Sequence, residues 1–239
     1  MTEVIVVLLS AIVAGIIQAV TGFGSGVFMM MFFPMILPVL NASALSAAIS
    51  LAASLGMTVT YRKYIHKEII LFPGICYIAA SSAAISFAAK LPTELLMKIF
   101  GAFLIVLAVY FLVFSKKIHV KANMPTAGVC ATLSGAVSGL FGIGGPPMVI
   151  YYLAALPRKE EYLGTIQAFF FITGLYTFGF RVAKGIYTWK LVPLTIIGMC
   201  AIMLGKKIGN MIIDRINADT MRKLVYVFLG FTGVLNLIK

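Results

Sequence analysis

The stretch QAVTGFGSGVFMMMFF, from Gln18 to Phe33, places three glycines and one serine inside a run that is otherwise apolar enough for a membrane helix. A helix break at membrane depth leaves backbone N–H and C=O groups without partners, and lipid offers none. Such a break is tolerated only where it is packed inside protein or lines a wet cavity. The stretch therefore predicts a broken or re-entrant membrane helix.

The composition predicts an all-α integral membrane protein with the lipid bilayer as its surroundings. The 239 residues are 62% hydrophobic and 11% charged, and the mean hydropathy is +1.07. Too few polar side chains remain to cover a water-soluble surface. The net charge of +12 comes from short basic clusters between apolar segments, which is typical of membrane topology signals and not of a nucleic-acid-binding face.

The chain divides into ten apolar segments, several of which approach the ~20 residues that a helix needs to cross a bilayer. The second segment contains two prolines, and the seventh and ninth are short. The segments are Val4–Val20, Phe23–Leu40, Ala42–Thr60, Ile69–Ala89, Glu94–Phe114, Met124–Phe141, Ile143–Leu156, Tyr162–Phe180, Leu191–Gly205 and Met221–Ile238.

A weak internal repeat relates the two halves of the chain at an offset of 120 residues, as in 142 − 22. Gly15 falls on Gly135, the GFGSG motif of Gly22–Gly26 falls on GIGGP of Gly142–Pro146, and Pro73 falls on Pro193. Each half then holds five segments, and this odd number requires the second half to enter the membrane from the opposite face. The sequence predicts two inverted-topology repeats, residues 1–121 and 122–239, which together form one transport domain.

Counting Lys and Arg in alternate connections predicts the orientation, because cytoplasmic loops carry more of them. Both termini are predicted outside a multi-pass protein of the cell inner (plasma) membrane. The side with thirteen basic residues carries Arg62, Lys63, Lys67, Lys116, Lys117, Lys121, Arg158, Lys159, Lys206, Lys207, Arg215, Arg222 and Lys223, and the other side carries Lys90, Lys98, Arg181, Lys184, Lys190 and Lys239. The parity is the same whether segments 1–2 and 6–7 cross fully or form re-entrant hairpins.

Each Gly-rich break precedes an apolar segment, and a helix that starts there directs its free N–H groups and positive dipole end at the break. This arrangement predicts a small-anion site near the bilayer midplane, with glycines that admit the anion to the backbone. The predicted substrate-binding residues of the breaks are Thr21, Gly22, Gly24, Ser25, Gly26, Gly142, Gly144, Gly145 and Pro146. Polar residues of lower rank are Gln18, Ser138, Gln167 and Thr165. For the serine and threonine a bond to the local backbone is the alternative, whereas a glutamine amide has more hydrogen-bonding groups to satisfy in hydrocarbon.

The glycines have two other interpretations, close helix packing and a nucleotide-binding loop. Gly22 and Gly26, Gly135 and Gly139, and Gly205 and Gly209 all fit Gly-x-x-x-Gly, which lets membrane helices pack closely. Matched interruptions in both halves favour a transporter site over packing for the two breaks. Neither motif ends in Gly-Lys-Ser/Thr, so a nucleotide loop is excluded.

The motifs GFGSG (Gly22–Gly26) and GIGGPP (Gly142–Pro147), with NASALSAAIS and EYLGTIQAFF after them, resemble the TauE/SafE family of membrane permeases, the sulfite and organosulfonate exporters. The resemblance spans nearly the whole chain. It implies a secondary transporter, expected to export small sulfur-containing anions such as sulfite, thiosulfate or organosulfonates, without a nucleotide-binding subunit. The second motif has Gly145 where the first has Ser25, so the halves differ in the hydroxyl they offer.

Arg62 and Arg181 follow the third and eighth segments and are candidate gates, although snorkelling to the interface is the favoured interpretation of both. The seven acidic residues, Glu3, Glu68, Glu94, Glu160, Glu161, Asp214 and Asp219, fall at or near segment ends. The sequence contains no recognisable catalytic constellation, metal site or cofactor motif, so it does not predict an enzyme. A channel, a non-transporting subunit of a larger complex and a carrier of small carboxylates remain alternatives, and the coupling ion and oligomeric state stay open.

Overall fold

The computed structural model describes residues 1–109 and 120–212 together with Val234. Within these residues the regular secondary structure is helical and contains no strand. The α-helices are α1 (Thr2–Thr21), α2 (Ser25–Phe32), α3 (Val39–Thr60), α4 (Leu71–Ala88), α5 (Thr93–Val109), α6 (Met124–Phe141), α7 (Gly145–Ala155), α8 (Lys159–Ala183) and α9 (Val192–Ile212), and short 3₁₀ turns cover Phe33–Met35, Arg62–Tyr64, Lys67–Ile69 and Trp189–Leu191.

Six helical stretches are long and apolar enough to cross a membrane, among the residues that the structure describes. They are Thr2–Thr21, Val39–Thr60, Lys67–Ala88, Met124–Phe141, Lys159–Ala183 and Trp189–Met211. By contrast α2, with 8 residues, and α7, with 11, are about 12 and 17 Å long at ~1.5 Å per residue. Neither can cross ~30 Å of hydrocarbon by itself.

The second predicted segment, Phe23–Leu40, is discontinuous in the structure, as its prolines indicate, because α2 ends at Phe32 and a 3₁₀ turn containing Pro34 follows. The ninth segment is not short, because α9 continues past Gly205 to Ile212. The tenth segment, apart from Val234, and residues 110–114 of the fifth lie outside the described residues.

Long helices pack in pairs from the two halves of the chain: α1 lies along α9, α6 along α4, and α3 along α8. Glycines sit at the closest approaches. A Cβ at Gly205 in α9 would lie 2.9 Å from the Cα of Ile12 in α1. A Cβ at Gly135 in α6 would lie 2.9 Å from the Cα of Tyr77 in α4. The packing interpretation of Gly-x-x-x-Gly therefore fits the pairs that begin at Gly135 and Gly205.

The short helix α2 lies inside this bundle. Met29 and Met30 are 0% exposed and Met31 is 2% exposed, so consecutive residues on different faces of the helix are all covered. Phe28 and Phe32, four residues apart on one face, are partly exposed, but most of this apolar helix contacts protein instead of lipid. The break before α2 is thus held within the protein, as the opening stretch of sequence predicts.

Candidate functional site

The first break begins where α1 ends at Gly22, which has φ 79° and donates its N–H to the carbonyl of Gln18 at 2.8 Å. This left-handed conformation closes the helix and suits glycine, which has no Cβ to clash. Gly24 is also left-handed, with φ 97°, and α2 starts at Ser25. No side chain caps α2, so the N–H groups of its first turn remain available to a ligand.

The second break repeats this geometry at its start. Gly142, with φ 71°, ends α6 and donates its N–H to the carbonyl of Ser138 at 2.8 Å. The start of α7 differs, because Pro146 and Pro147 have no N–H and the N–H of Met148 donates to Ser134 Oγ at 3.2 Å. α2 therefore offers more backbone donors than α7.

The two breaks contact each other. A Cβ at Gly26 would lie 3.0 Å from the carbonyl oxygen of Gly142, and a Cβ at Gly145 would lie 3.6 Å from the ring of Phe23. Beside this contact is a cavity of about 90 Å³, which we call the central cavity. Its wall contains eight predicted site residues: Gln18, Gly24, Ser25, Gly26, Ser138, Gly142, Gly144 and Gly145.

Five predicted site residues are not in this wall. Gly22 and Pro146 shape the helix ends beside it, and Gln167 and Thr165 bond to neighbouring segments. Thr21 does not offer its hydroxyl to the central cavity, because its Oγ1 lies 2.8 Å from the carbonyl of Ile17 and 2.7 Å from that of Phe23. Its hydroxyl bonds within the break, and Thr21 lines a second cavity of about 300 Å³ instead.

Gln167 in α8 supports the first break from outside the central cavity. Its Nε2 donates to the carbonyl of Gly22, and its Oε1 accepts a hydrogen bond from Gln18 Nε2 at 3.2 Å. Both glutamines are buried, at 3% exposure for Gln18 and 0% for Gln167. A backbone carbonyl freed by the break is thus satisfied by a side chain, as a membrane interior requires.

The structure places Arg181 against expectation. It was expected at the interface, yet it is 0% exposed. Its Nη1 donates to Ser43 Oγ at 2.7 Å, and its Nη2 donates to the carbonyls of Ser138 at 2.6 Å and Gly139 at 3.1 Å. These carbonyls belong to the last turn of α6, where a cation interacts favourably with the helix dipole.

No carboxylate pairs with Arg181 within residues 1–109 and 120–212. Thr177, one helical turn earlier in α8, is in the wall of the central cavity, and so is Ser138, whose carbonyl Arg181 binds. A buried positive charge therefore lies close to the cavity, and the described residues place no carboxylate against it. The other candidate gate, Arg62, is exposed in the 3₁₀ turn after α3.

Sequence reasoning missed several polar residues of the cavity wall: Ser50, Ser54, Tyr77 and Thr177. The Oγ of Ser50 lies 3.3 Å from that of Ser25, and Ser50 ends the NASALSAAIS stretch that the sequence singles out. A signal for Ser50 was therefore present. Tyr77 packs edge-on against Phe169 with ring centroids 5.3 Å apart. In the sequence it stands in an apolar segment, where an aromatic residue is normally part of the core, so no signal distinguished it.

A helical bundle with several membrane-length helices, two short helices after Gly-rich breaks and a small cavity beside the contact of the breaks has the architecture of a membrane permease. The family model for the sulfite exporter TauE/SafE matches residues 7–235. The chain belongs to this family, and it is therefore a multi-pass membrane transporter. No curated protein and no solved structure matches it.

Proposed function

We propose that this protein is a secondary transporter that exports a small sulfur-containing anion, such as sulfite, thiosulfate or an organosulfonate, with the central cavity as its binding site. The observation that carries this proposal is the buried Arg181 beside a cavity lined by the first turn of α2. The guanidinium supplies a positive field, and the N–H groups of Ser25, Gly26 and Val27 supply donors. Ser25 Oγ adds a hydroxyl.

The strength of these interactions suits a carrier. A helix N-terminus contributes ~0.3–1 kcal/mol to a nearby charge at an exposed surface and up to ~2 kcal/mol in a partly buried geometry. Arg181 already donates to oxygens of Ser43, Ser138 and Gly139, so it attracts the anion through its charge and not as a dedicated ligand. An anion held in this way is attracted into the cavity and can still be released.

We extend the proposal to the architecture: residues 1–121 and 122–239 form two inverted repeats of one transport domain. The pairing of helices supports this, because α1 packs on α9 and its counterpart in the repeat, α6, packs on α4. Gly15 and Gly135, which are 120 residues apart, both sit at these contacts: a Cβ at Gly15 would lie 2.8 Å from the backbone nitrogen of Lys206 in α9.

The proposed orientation places the lysine-rich end in the cytoplasm. Support comes from the second cavity, where Lys159 and Lys206 lie with Tyr61 at one end of the bundle. We expect a cysteine introduced at Lys159 to react with a membrane-impermeant maleimide only from the cytoplasmic side. A cysteine at Lys184 is expected to react only from outside. Both measurements use a chain whose three native cysteines are replaced, and the reverse labelling pattern would contradict the orientation.

Counterflow into liposomes that contain the purified protein tests the function. Sulfite, thiosulfate, taurine, sulfoacetate and small carboxylates are each offered as the counter-substrate. The proposal expects exchange for sulfur-containing anions and little for carboxylates. Uptake that is only downhill, without counterflow, would indicate a channel, and no flux for any anion would indicate a non-transporting subunit.

Ser25→Ala is expected to weaken anion binding and counterflow about three- to tenfold without abolishing them. A hydrogen bond to a charged group is worth ~1.5–3 kcal/mol, and the neighbouring Ser50 hydroxyl replaces part of it. Ser10→Ala is the matched control, because Ser10 is also buried in a helix and its hydroxyl bonds to the Val6 carbonyl. Equal effects of both substitutions would show that Ser25 does not contact the anion.

A further inference from the structure

The second cavity, at the lysine-rich end of the bundle, is larger than the central cavity, at about 300 Å³ against about 90 Å³. The ends of α1, α3 and α7, the start of α8 and the last turns of α9 form its wall. Lys159 and Lys206 belong to this wall, and no acidic residue does within the part of the chain that the structure describes. These residues give the cavity a positive charge of its own.

Lys206 directs its side chain from α9 across to α3. Its backbone nitrogen is covered by α1, because a Cβ at Gly15 would lie 2.8 Å from it. Its Nζ lies against α3, because a Cβ at Gly56 would lie 2.9 Å from that atom. Thr60, a residue of the cavity wall, donates its hydroxyl to the carbonyl of the same Gly56 at 2.7 Å. The ammonium group therefore lies beside the part of the wall that Thr60 forms.

The ammonium group of Lys206 is accessible to a ligand. Lys206 is only partly buried, and none of the ion pairs among residues 1–109 and 120–212 involves it. Glu161, near the start of α8, is paired instead with Arg158 at 3.3 Å. A cation that is partly removed from water and has no carboxylate beside it gains from a bound anion through charge-assisted hydrogen bonds.

The first break separates the two cavities. Thr21 belongs to the wall of the second cavity, and Phe23 and Gly24 belong to the wall of the central cavity. Gly22 stands between them in the chain, and a Cβ there would lie 2.7 Å from Cδ2 of Leu163. A thin partition of backbone and one leucine side chain thus divides a positively charged cavity from the proposed binding site.

We propose that the second cavity is a separate binding site for the transported anion, in which the Lys206 ammonium holds a small sulfonate or related oxyanion before it passes the first break into the central cavity. This inference rests on the proposed function and adds a second site to it. The phosphate of an acidic lipid head group has the same chemistry, so the experiment must distinguish the two sources of the anion.

A cysteine in the wall tests the attraction of anions. Thr60→Cys is introduced into a chain whose three native cysteines are replaced, because Thr60 is an exposed residue of the wall. Its rates of reaction with iodoacetate, an anion, and with iodoacetamide, the neutral analogue, are measured in detergent. Both reagents attack the thiolate, so the ratio of the two rates does not depend on the thiolate fraction. Lys206→Met is expected to lower this ratio about tenfold.

Lys207→Met is the matched control for the rate ratio. It removes the neighbouring positive charge of α9, and Lys207 is exposed and outside the wall of the second cavity. The ratio should stay within about twofold of its value in the parent reporter protein. Equal effects of Lys206→Met and Lys207→Met would overturn the inference, because they would show only the general field of the basic surface.

Protection by a ligand tests whether an anion occupies the site. Sulfoacetate at about ten times its dissociation constant leaves roughly a tenth of the sites free, so it is expected to slow the reaction of Thr60→Cys with iodoacetamide about tenfold. The protection should disappear in Lys206→Met and persist in Lys206→Arg, which keeps the charge.

Absence of protection in the parent reporter protein would overturn the inference, and this measurement decides even if Lys206→Met does not fold. Protection by a short-chain phosphatidylglycerol but not by sulfoacetate would also overturn it, because the site would then take a lipid head group. Failure of the proposed function is a separate result, since it appears as a lack of counterflow for sulfur-containing anions by the wild type. A protein that shows counterflow without protection lacks only the second site.

Discussion

The Arg181→Met variant, isolated in its folded form, is expected to bind sulfite about thirtyfold more weakly than the wild type. A unit charge about 8 Å from the anion, at an effective dielectric constant of ~20, contributes about 2 kcal/mol. This free energy corresponds to about thirtyfold in affinity. We take ~8 Å as the scale of this distance, since Arg181 lies one helical turn, ~5.4 Å along the axis, beyond Thr177 in the cavity wall.

The folded yield of Arg181→Met is also expected to fall, because the carbonyls of Ser138 and Gly139 lose their donor. Affinity must therefore be measured on the monodisperse fraction, by calorimetry at low ionic strength. Arg62→Met is the matched control, since Arg62 is exposed, and it should change neither yield nor affinity. Arg181→Lys keeps the charge with fewer hydrogen bonds, so its affinity should fall between those of the wild type and Arg181→Met.

A folded Arg181→Met protein that binds sulfite like the wild type would contradict the electrostatic role. Arg181 would then serve only to cap α6 and to join it to Ser43 in α3. The two roles predict different dependences on salt as well. A charge that attracts the anion makes wild-type affinity fall with ionic strength more steeply than that of the variant.

Gly205→Val is expected to remove most of the folded protein. A Cβ at Gly205 would overlap the backbone of Ile12, with its Cα 2.9 Å away, so α1 and α9 would have to move apart along their contact. Overpacking costs ~1–3 kcal/mol where side chains can adjust, and backbone atoms adjust less readily. The measurement is the monodisperse yield after detergent extraction, together with the apparent melting temperature of what remains.

Gly179→Val provides the control for this substitution. Gly179 lies in α8, and a Cβ there would have no other atom within 4 Å. Valine is also a better helix former than glycine, so yield and melting temperature should stay at wild-type values or rise slightly. Similar losses in both variants would show that bulk in these helices is harmful in general and that the α1–α9 contact is not special.

The sequence was sufficient to locate the breaks, because the physical constraint acts locally. Backbone groups freed at Gly22 and Gly142 must be satisfied inside the protein wherever they lie in a membrane. The packing role of the pairs that begin at Gly135 and Gly205 was also predictable from spacing. The sequence also contains the reason why α7 offers fewer backbone donors than α2, because Pro146 and Pro147 have no N–H. The similarity of the two Gly-rich motifs drew attention away from this difference.

Burial of Arg181 could not be predicted, because it depends on contacts made across the fold. The predicted eighth segment stops at Phe180, where an arginine at a helix end normally reaches toward water. In the structure α8 continues to Ala183, and the partners of Arg181 come from α3 and α6, distant in the sequence. For Thr21 the reason is the opposite, a local contact. Its hydroxyl bonds to the carbonyl of Ile17 in its own helical turn instead of facing the central cavity, and the repeat pattern carries no information about that bond.

The helix α8 binds both breaks, through Gln167 at Gly22 and through Arg181 at the end of α6. These two residues are fourteen positions apart in one continuous helix, about 21 Å along its axis. One continuous helix therefore ties the two breaks together, and a displacement of either break strains its bond to α8.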